Sequence, residues 1–109
     1  MDQKIVKLVE DRAGYYCEIC GLPAEDTMAL HHRKLKSRGG KDSVSNLIRI
    51  HHSCHNLKTD SVHLNPEKAE AKGYMCPSWA SPDEHPFTRP DGSVVLLLED
   101  GTTKLLTEA

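Results

Sequence analysis

The alternation of apolar and polar positions divides the chain into short elements. Apolar residues recur at helical spacing within "DQKIVKLVEDRAG", and Gly14 follows them, so this segment predicts a short first helix. "TMALHH" and "NLIRI" predict two short strands, separated by the polar loop "KLKSRGGKDSVS", where Gly39 and Gly40 allow a sharp turn. "SCHNLKTDSV" contains no helix breaker and predicts a helix with Ser53 as its N-cap.

The second half of the chain has a different character. "NPEKAEAKGY" predicts a short helix that begins at Pro66 and ends before Gly73. "CPSWASPDEHPFTRP" predicts an irregular, proline-rich linker, and "SVVLLLEDGTTKLL" predicts a β-hairpin that turns at its Asp-Gly pair. We therefore expect an α+β fold with a core in residues 1–60 and a C-terminal extension, residues 61–109, packed on or beside it.

Composition limits how the fold can be stabilised. A chain of 109 residues with 38% apolar and 5% aromatic side chains can bury only a thin core, so a cross-link or a metal is expected. The opening segment "MDQKIVKLVEDRAG" lacks the apolar core of a signal peptide, which favours cytosolic, reduced thiols and a metal over disulfides. Cys76 lies apart from the other cysteines and is expected to be a packed free thiol. No apolar run approaches bilayer-spanning length, which excludes a membrane protein.

The net charge of −2 conceals an uneven distribution of charge. Residues 31–59 carry seven Lys and Arg residues against one acidic residue, a net charge of +6. Residues 1–30 and 60–109 carry net charges of −3 and −5. A basic centre is typical of a surface that faces phosphate, although a solvated basic loop would give the same pattern.

Two cysteine-containing motifs share one spacing. Cys17 and Cys20 form a C-x-x-C pair in "CEICG", and His51 and Cys54 repeat the two-residue gap in "HHSC". These four residues predict a structural zinc site of the Cys₃His type, with Zn–S distances near ~2.3 Å. His52 is a weaker candidate, because only one residue separates it from Cys54. Ordinary buried cysteines or a redox pair are the alternatives.

Four further polar residues lie in the basic segment, namely His31, His32, Asn46 and His55. Together with the two cysteine motifs they form "CEICG…LHHRKLKSRGGKDSVSNLIRIHHSCHNLKT", which resembles the HNH endonuclease family over residues 17–59. The tail from "NPEKAEAKGYMCPSW" onward also resembles the ends of small HNH proteins of phages and their hosts. The resemblance implies a small ββα-metal core with a structural zinc, one catalytic divalent ion, and hydrolysis of DNA phosphodiester bonds.

The resemblance also implies residue roles. His31 and His55 would bind the catalytic ion, His32 would be the general base, and Asn46 would brace the loop. A neutral imidazole can accept a proton from water near neutral pH, which fits the base role. A twist or bulge at the strand end would bring His31 and His32 toward one cleft, because neighbouring strand residues otherwise point opposite ways. The residues expected to bind flanking phosphates are Arg33, Lys34, Lys36, Arg38, Lys41 and Lys58.

The ligand types bear on the choice of catalytic ion, and the resemblance to phage proteins bears on the partners. Two imidazoles without a carboxylate suit Mn²⁺, Co²⁺, Ni²⁺ or Zn²⁺ at least as well as Mg²⁺. The phage resemblance implies a phage- or prophage-encoded protein of the bacterial cytoplasm that acts beside the terminase large subunit in DNA packaging. Two other classes stay open: a non-catalytic, zinc-stabilised DNA-binding or phage-assembly module, and an RNA-acting metallonuclease. A pure binding module needs neither His32 nor His55.

Overall fold

The computed structural model describes residues 1–57, 62 and 64–109, which form helices and two small antiparallel sheets. In chain order the elements are helix α1 (Gln3–Ala13), strand β1 (Ala29–His32), strand β2 (Leu47–Ile50), a wide helical turn (Ser53–Leu57), helix α2 (Pro66–Lys72), and strands β3 (Phe87–Thr88), β4 (Val94–Leu97) and β5 (Thr103–Thr107). Single 3₁₀ turns span Lys36–Arg38 and Pro82–Glu84. The predicted α+β class is confirmed.

Helix α1 begins and ends where the sequence predicts. The Asp2 carboxylate accepts the Lys4 N–H at 2.8 Å and caps the first turn. At the other end Gly14 adopts a φ of 66° and donates its N–H to the Glu10 carbonyl. Val9 is fully buried on the inner face of the helix, which packs against β2.

Strands β1 and β2 form an antiparallel pair in which β2 is buried on both faces. Leu47 lies in an apolar cluster with Val9 of α1, whereas Ile48 and Ile50 lie in the larger cluster on the opposite face. This division follows from the two-residue period of a strand. The predicted strands are confirmed, and β2 is the layer that joins helix α1 to the rest of the core.

The segment after the second cysteine motif differs from the predicted helix. It forms one wide helical turn, Ser53–Leu57, and the N–H groups of Cys54 and His55 both hydrogen-bond to the His51 carbonyl at its start. Ser53 lies inside this turn, so the prediction that Ser53 is the N-cap is wrong. The remainder of the predicted helix falls on residues 58–61, outside the described residues.

The C-terminal segment contains more structure than predicted. Helix α2 is confirmed, with Pro66 in its first turn and Gly73, at a φ of 79°, closing its end. The proline-rich segment is not wholly irregular, because Phe87–Thr88 pairs with β4 and converts the predicted hairpin into a sheet of order β3-β4-β5. A two-residue strand between prolines is too short to produce a period in the sequence.

One apolar cluster includes side chains from both parts of the chain. Ile48 and Ile50 from the first part lie in it with Phe87, Val95 and Leu97 from the second. The two parts of the chain thus share one core. The boundary at residue 60 stays a prediction from the sequence. Among the described residues, no helix combines the length and apolar character needed to cross a membrane.

Arg33 is a fully buried charged side chain in this core. Its guanidinium donates to four carbonyl oxygens, those of Ser45, Gly73, Pro82 and His85, at 2.8–2.9 Å. It also lies 5.5 Å from the centre of the Phe87 ring. Burial lowers the pKa of Arg33 to about 10, which leaves it charged at neutral pH. The prediction that Arg33 binds phosphate is therefore wrong, since its donors are already used inside the protein.

We expect Arg33→Met to lower the free energy of unfolding by about 3–5 kcal/mol, because it leaves buried carbonyls without donors. Urea denaturation followed by circular dichroism measures the change. Lys104→Met is the control, since Lys104 is exposed and its replacement should change stability by less than about 0.5 kcal/mol. Equal stability of the two variants would show that the buried guanidinium does not connect the two parts of the chain.

Candidate functional site

Four residues form a compact cluster of potential metal ligands. The donor atoms of Cys17, Cys20, His51 and Cys54 all lie within 4.8 Å of one another. The Cys17 and Cys54 sulfurs lie 3.9 Å apart, and the Cys20 sulfur lies 3.2 Å from His51 Nδ1. Three sulfurs and one imidazole nitrogen at these separations fit a tetrahedral structural zinc. His52, the weaker candidate, is exposed and lies outside this cluster.

The surroundings of the cluster favour the ligand forms of His51 and Cys17 but not that of Cys54. The Pro23 carbonyl lies 2.8 Å from His51 Nε2 and requires a proton there, which leaves the lone pair on Nδ1, beside Cys20. The pKa of the Cys17 thiol is lowered, because N–H groups of Cys20, His51 and Ile19 outweigh the effect of burial. Burial and the nearby Cys17 sulfur raise the pKa of Cys54 to about 12. A cation bound at the cluster would stabilise the Cys54 thiolate, which burial and the Cys17 sulfur disfavour.

His31 and His55 form a second pair. His31 is buried on β1, and the centres of the two imidazole rings lie 5.1 Å apart in an edge-to-face arrangement. The Tyr74 carbonyl lies 2.9 Å from His31 Nε2, so that nitrogen carries the proton and Nδ1 carries the lone pair. With metal–nitrogen distances of roughly 2.1 Å, two rings at this separation can bind the same ion.

His32 makes a different contact. Its Nε2 lies 2.6 Å from the Asp42 carboxylate, and its side chain is partly buried. The pKa of Asp42 is lowered, chiefly by the hydrogen bond from His32 and further by nearby Lys36. A carboxylate at Nε2 keeps the proton on that nitrogen, so the lone pair lies on Nδ1. The contact with Asp42 therefore orients the His32 imidazole and sets its tautomer.

Asp42 is the residue that the sequence reasoning missed. A signal was present, because Asp42 is the one acidic residue in the basic segment 31–59. A lone acid among basic residues marks a position where a negative charge has a specific partner, and here that partner is His32. Ten residues separate the two in the chain, so spacing alone could not pair them.

Asn46 closes the loop that carries Asp42. Its buried side-chain carbonyl accepts the Lys34 N–H at 2.6 Å, and its amide group donates to the Lys34 and Lys41 carbonyls. Within the loop the backbone is packed tightly, since a Cβ added at Gly40 would lie 1.7 Å from the Lys34 carbonyl oxygen. Asn46 and Gly40 together fix the position of the residue next to Lys41, which is Asp42.

Residues 17–61 match the family model of the HNH endonucleases. The resemblance noted in the sequence is thereby confirmed for this HNH segment, about two fifths of the chain. The segment contains the cysteine cluster together with His31, His32, Asn46 and His55. The match supports a metal-binding nuclease. No curated protein and no solved structure matches the chain.

The HNH segment does not show the bulge considered for the end of β1. His31 pairs with Ile48 and His32 with Leu47 in a regular register, and the irregularity recorded in the described strands lies between Val94 and Val95. His31 therefore contacts the Tyr74 carbonyl and the His55 ring, whereas His32 contacts the Asp42 carboxylate.

The basic residues of the HNH segment occupy varied environments. Lys36 and Lys41 are exposed, and Lys34 is partly buried. Arg38 already bonds to the Glu70 carboxylate at 3.3 Å and to the Cys76 carbonyl at 3.2 Å. Lys58 lies outside the described residues. Of the three lysines in the loop that Asn46 closes, Lys34 and Lys41 form no ion pair among the described residues, whereas the Lys36 ammonium lies 3.7 Å from the Asp42 carboxylate.

Proposed function

We propose that the protein is a metal-dependent DNA endonuclease that hydrolyses phosphodiester bonds. The observation that carries the proposal is the contact between His32 and Asp42, in a segment that matches HNH endonucleases. A zinc-stabilised module that only binds DNA or assembles with phage proteins would need no oriented base. The paired rings of His31 and His55 support the same conclusion, because they add a second group of ligands beside the cysteine cluster.

In this proposal each side chain has one task. Asp42 accepts the His32 Nε2–H, so that Nδ1 can take a proton from the attacking water. Asn46 fixes the loop and thereby the distance between Asp42 and His32. Lys34, Lys36 and Lys41 bind flanking phosphates, which gives affinity with little sequence preference. A divalent ion bound by His31 and His55 would supply charge stabilisation at the phosphate and at the leaving 3′ oxygen.

The ligand types narrow the choice of catalytic ion. Imidazole nitrogens are good ligands for Mn²⁺, Co²⁺, Ni²⁺ and Zn²⁺, whereas Mg²⁺ prefers oxygen. One ion suffices because His32, rather than a second metal, generates the nucleophile. We propose a single catalytic ion from the series Mn²⁺, Mg²⁺, Ni²⁺, Co²⁺ and Zn²⁺, separate from the structural zinc.

A plasmid-cleavage assay tests the function. Zinc-loaded, folded protein should convert supercoiled plasmid to nicked or linear DNA when a divalent ion is added, and matched RNA should be cut less. Absence of cleavage with every ion in the series would refute the nuclease and favour the binding module. Preferential cleavage of RNA would favour the RNA-acting alternative instead.

Asp42→Asn tests the orienting contact. We expect the rate of cleavage to fall roughly 10–100-fold, because a displaced catalytic group loses activity on this scale, while folding and divalent-ion affinity are kept. Asp26→Asn is the matched control, since Asp26 is an exposed carboxylate away from His32. A wild-type rate for Asp42→Asn would show that His32 is positioned by other groups.

We expect the cleavage activity to fall as the pH is lowered below neutral. Because the pKa of Asp42 is lowered, its carboxylate stays charged as the pH falls below the usual aspartate range, so the contact with His32 persists in mildly acidic solution. We therefore expect the loss of wild-type activity below neutral pH to come from protonation of imidazole. Metal-saturated rates measured from pH 5 to pH 8 would show this loss.

The resemblance to phage proteins extends the proposal to a partner and a place. We propose DNA packaging beside the terminase large subunit, in the bacterial cytoplasm. Co-purification of a tagged protein with the large subunit encoded by the same phage tests this role, and it is independent of the cleavage assay.

A further inference from the structure

Trp79 is the single tryptophan of the chain, and its side chain is 84% exposed. It lies in a tight turn of residues 77–80, closed by a hydrogen bond from the Ala80 N–H to the Pro77 carbonyl at 3.1 Å. An indole contributes a large apolar surface when it is buried, so its exposure on an ordered turn leaves much of that surface available for contact with a ligand.

Residues that flank this turn on both sides are bonded to Arg33. The Cys76 N–H donates to the Arg33 carbonyl at 2.7 Å, and the Arg33 guanidinium donates to the Pro82 carbonyl at 2.9 Å. Arg33 lies between His32 and Lys34 in the chain, so the turn that carries Trp79 is fixed to the strand end that carries the proposed base. The position of Trp79 relative to this strand end is therefore determined by buried hydrogen bonds.

Trp79 lines a pocket with lysines of the loop that Asn46 closes. The pocket has a volume of about 380 Å³, and Lys34 and Lys41 also line it. Among residues 1–57, 62 and 64–109, neither lysine side chain forms an ion pair. Glu99 also lines the pocket, but its carboxylate already accepts hydrogen bonds from the Ser45 N–H and hydroxyl. The pocket thus combines an aromatic face with two available positive charges.

We propose that this pocket binds an unpaired nucleobase of a DNA strand, stacked on Trp79, with the adjoining phosphates bound by Lys34 and Lys41. Stacking on an aromatic side chain beside a basic groove is how proteins bind single strands without reading sequence. A base inside a duplex is already stacked on its neighbours and would have to leave the helix to enter. The inference rests on the proposed function, and it names the preferred substrate as DNA with a single-stranded stretch near the cleavage position.

The fluorescence of Trp79 reports binding directly, because the chain contains no other tryptophan. The experiment uses His32→Ala protein without added divalent ion, so that DNA is bound and not cut. A thymidine oligonucleotide should quench the fluorescence, and a duplex of the same length should quench it much less. In the same background Trp79→Ala should weaken oligonucleotide binding, measured by anisotropy, roughly tenfold, the scale of one lost stacking contact. Trp79→Phe should restore most of the affinity.

Tyr15→Ala is the control, because Tyr15 is an aromatic residue of similar exposure, 85%, on a different surface. Its replacement should leave oligonucleotide binding unchanged. Unchanged fluorescence on addition of the oligonucleotide, equal quenching by the duplex, quenching by RNA alone, or wild-type affinity of Trp79→Ala would each overturn the inference. Because only binding is measured here, the two proposals fail separately. Quenching in this experiment, together with no plasmid cleavage by the wild-type protein with any ion, would refute the nuclease and leave the pocket. Plasmid cleavage by the wild-type protein without quenching in this experiment would refute the pocket.

Discussion

Replacing Cys17 or Cys54 with serine should unfold the protein or abolish its cooperative melting transition. Both side chains are buried in the apolar cluster that contains Ile48 and Ile50, so loss of the ion disturbs the core itself. Structural zinc contributes about 10–16 kcal/mol in small zinc-binding domains, whereas a whole domain is stable by only about 5–15 kcal/mol. Serine is a poor zinc ligand and cannot replace that contribution.

Circular dichroism melts, together with zinc analysis of the purified protein, measure the effect. Wild-type protein should contain one equivalent of tightly bound zinc. Cys76→Ala is the matched control, because Cys76 is also fully buried but lies outside the ligand cluster. It should keep its zinc and its cooperative transition. A metal-free wild-type protein that is fully folded would contradict the assignment of a structural zinc.

Replacing His32 with alanine should reduce cleavage roughly 10²–10⁴-fold, the usual scale for loss of a general base. Affinity for the divalent ion and for DNA should survive, because the proposed ion ligands, His31 and His55, are unchanged. His55→Ala should instead weaken binding of the catalytic ion, and higher metal concentration should partly restore its activity.

The decisive measurement is the cleavage rate as a function of metal concentration for both variants. His32→Ala should reach a low plateau at the wild-type metal concentration, whereas the curve for His55→Ala should shift to higher concentration. Normal cleavage by His32→Ala would show that the base is another group. Recovery of His32→Ala by added metal, as readily as His55→Ala, would show that base and ligand have been assigned to the wrong histidines.

The elements predicted from the sequence are those whose signals are local. Helix α1 has its capping residues next to its apolar positions, and helix α2 has Pro66 at one end and Gly73 at the other. The ligand cluster was also predictable, because a two-residue gap between ligands is itself a geometric requirement. In these cases each signal lies within one helix or one short motif, although the two motifs of the ligand cluster are more than 30 residues apart.

The features that the sequence could not predict depend on distant parts of the chain. The carbonyls bound by Arg33 lie 12 to 52 residues away, and nothing in a run of basic residues distinguishes this fully buried arginine from the others. Strand β3 exists only because β4 pairs with it. Asp42 acquires its role from the fold of the loop, which Asn46 and Gly40 determine together.

The bond between His31 and the Tyr74 carbonyl has a consequence for protein engineering. Residues 17–61, which carry the family match, do not include Tyr74, nor the Gly73 and Pro82 carbonyls that accept from Arg33. A fragment cut at those limits and fused to a targeting domain would lose the group that sets the His31 tautomer. A fragment that keeps these contacts must extend through β4, which ends at Leu97. It then also includes the apolar residues of the shared core.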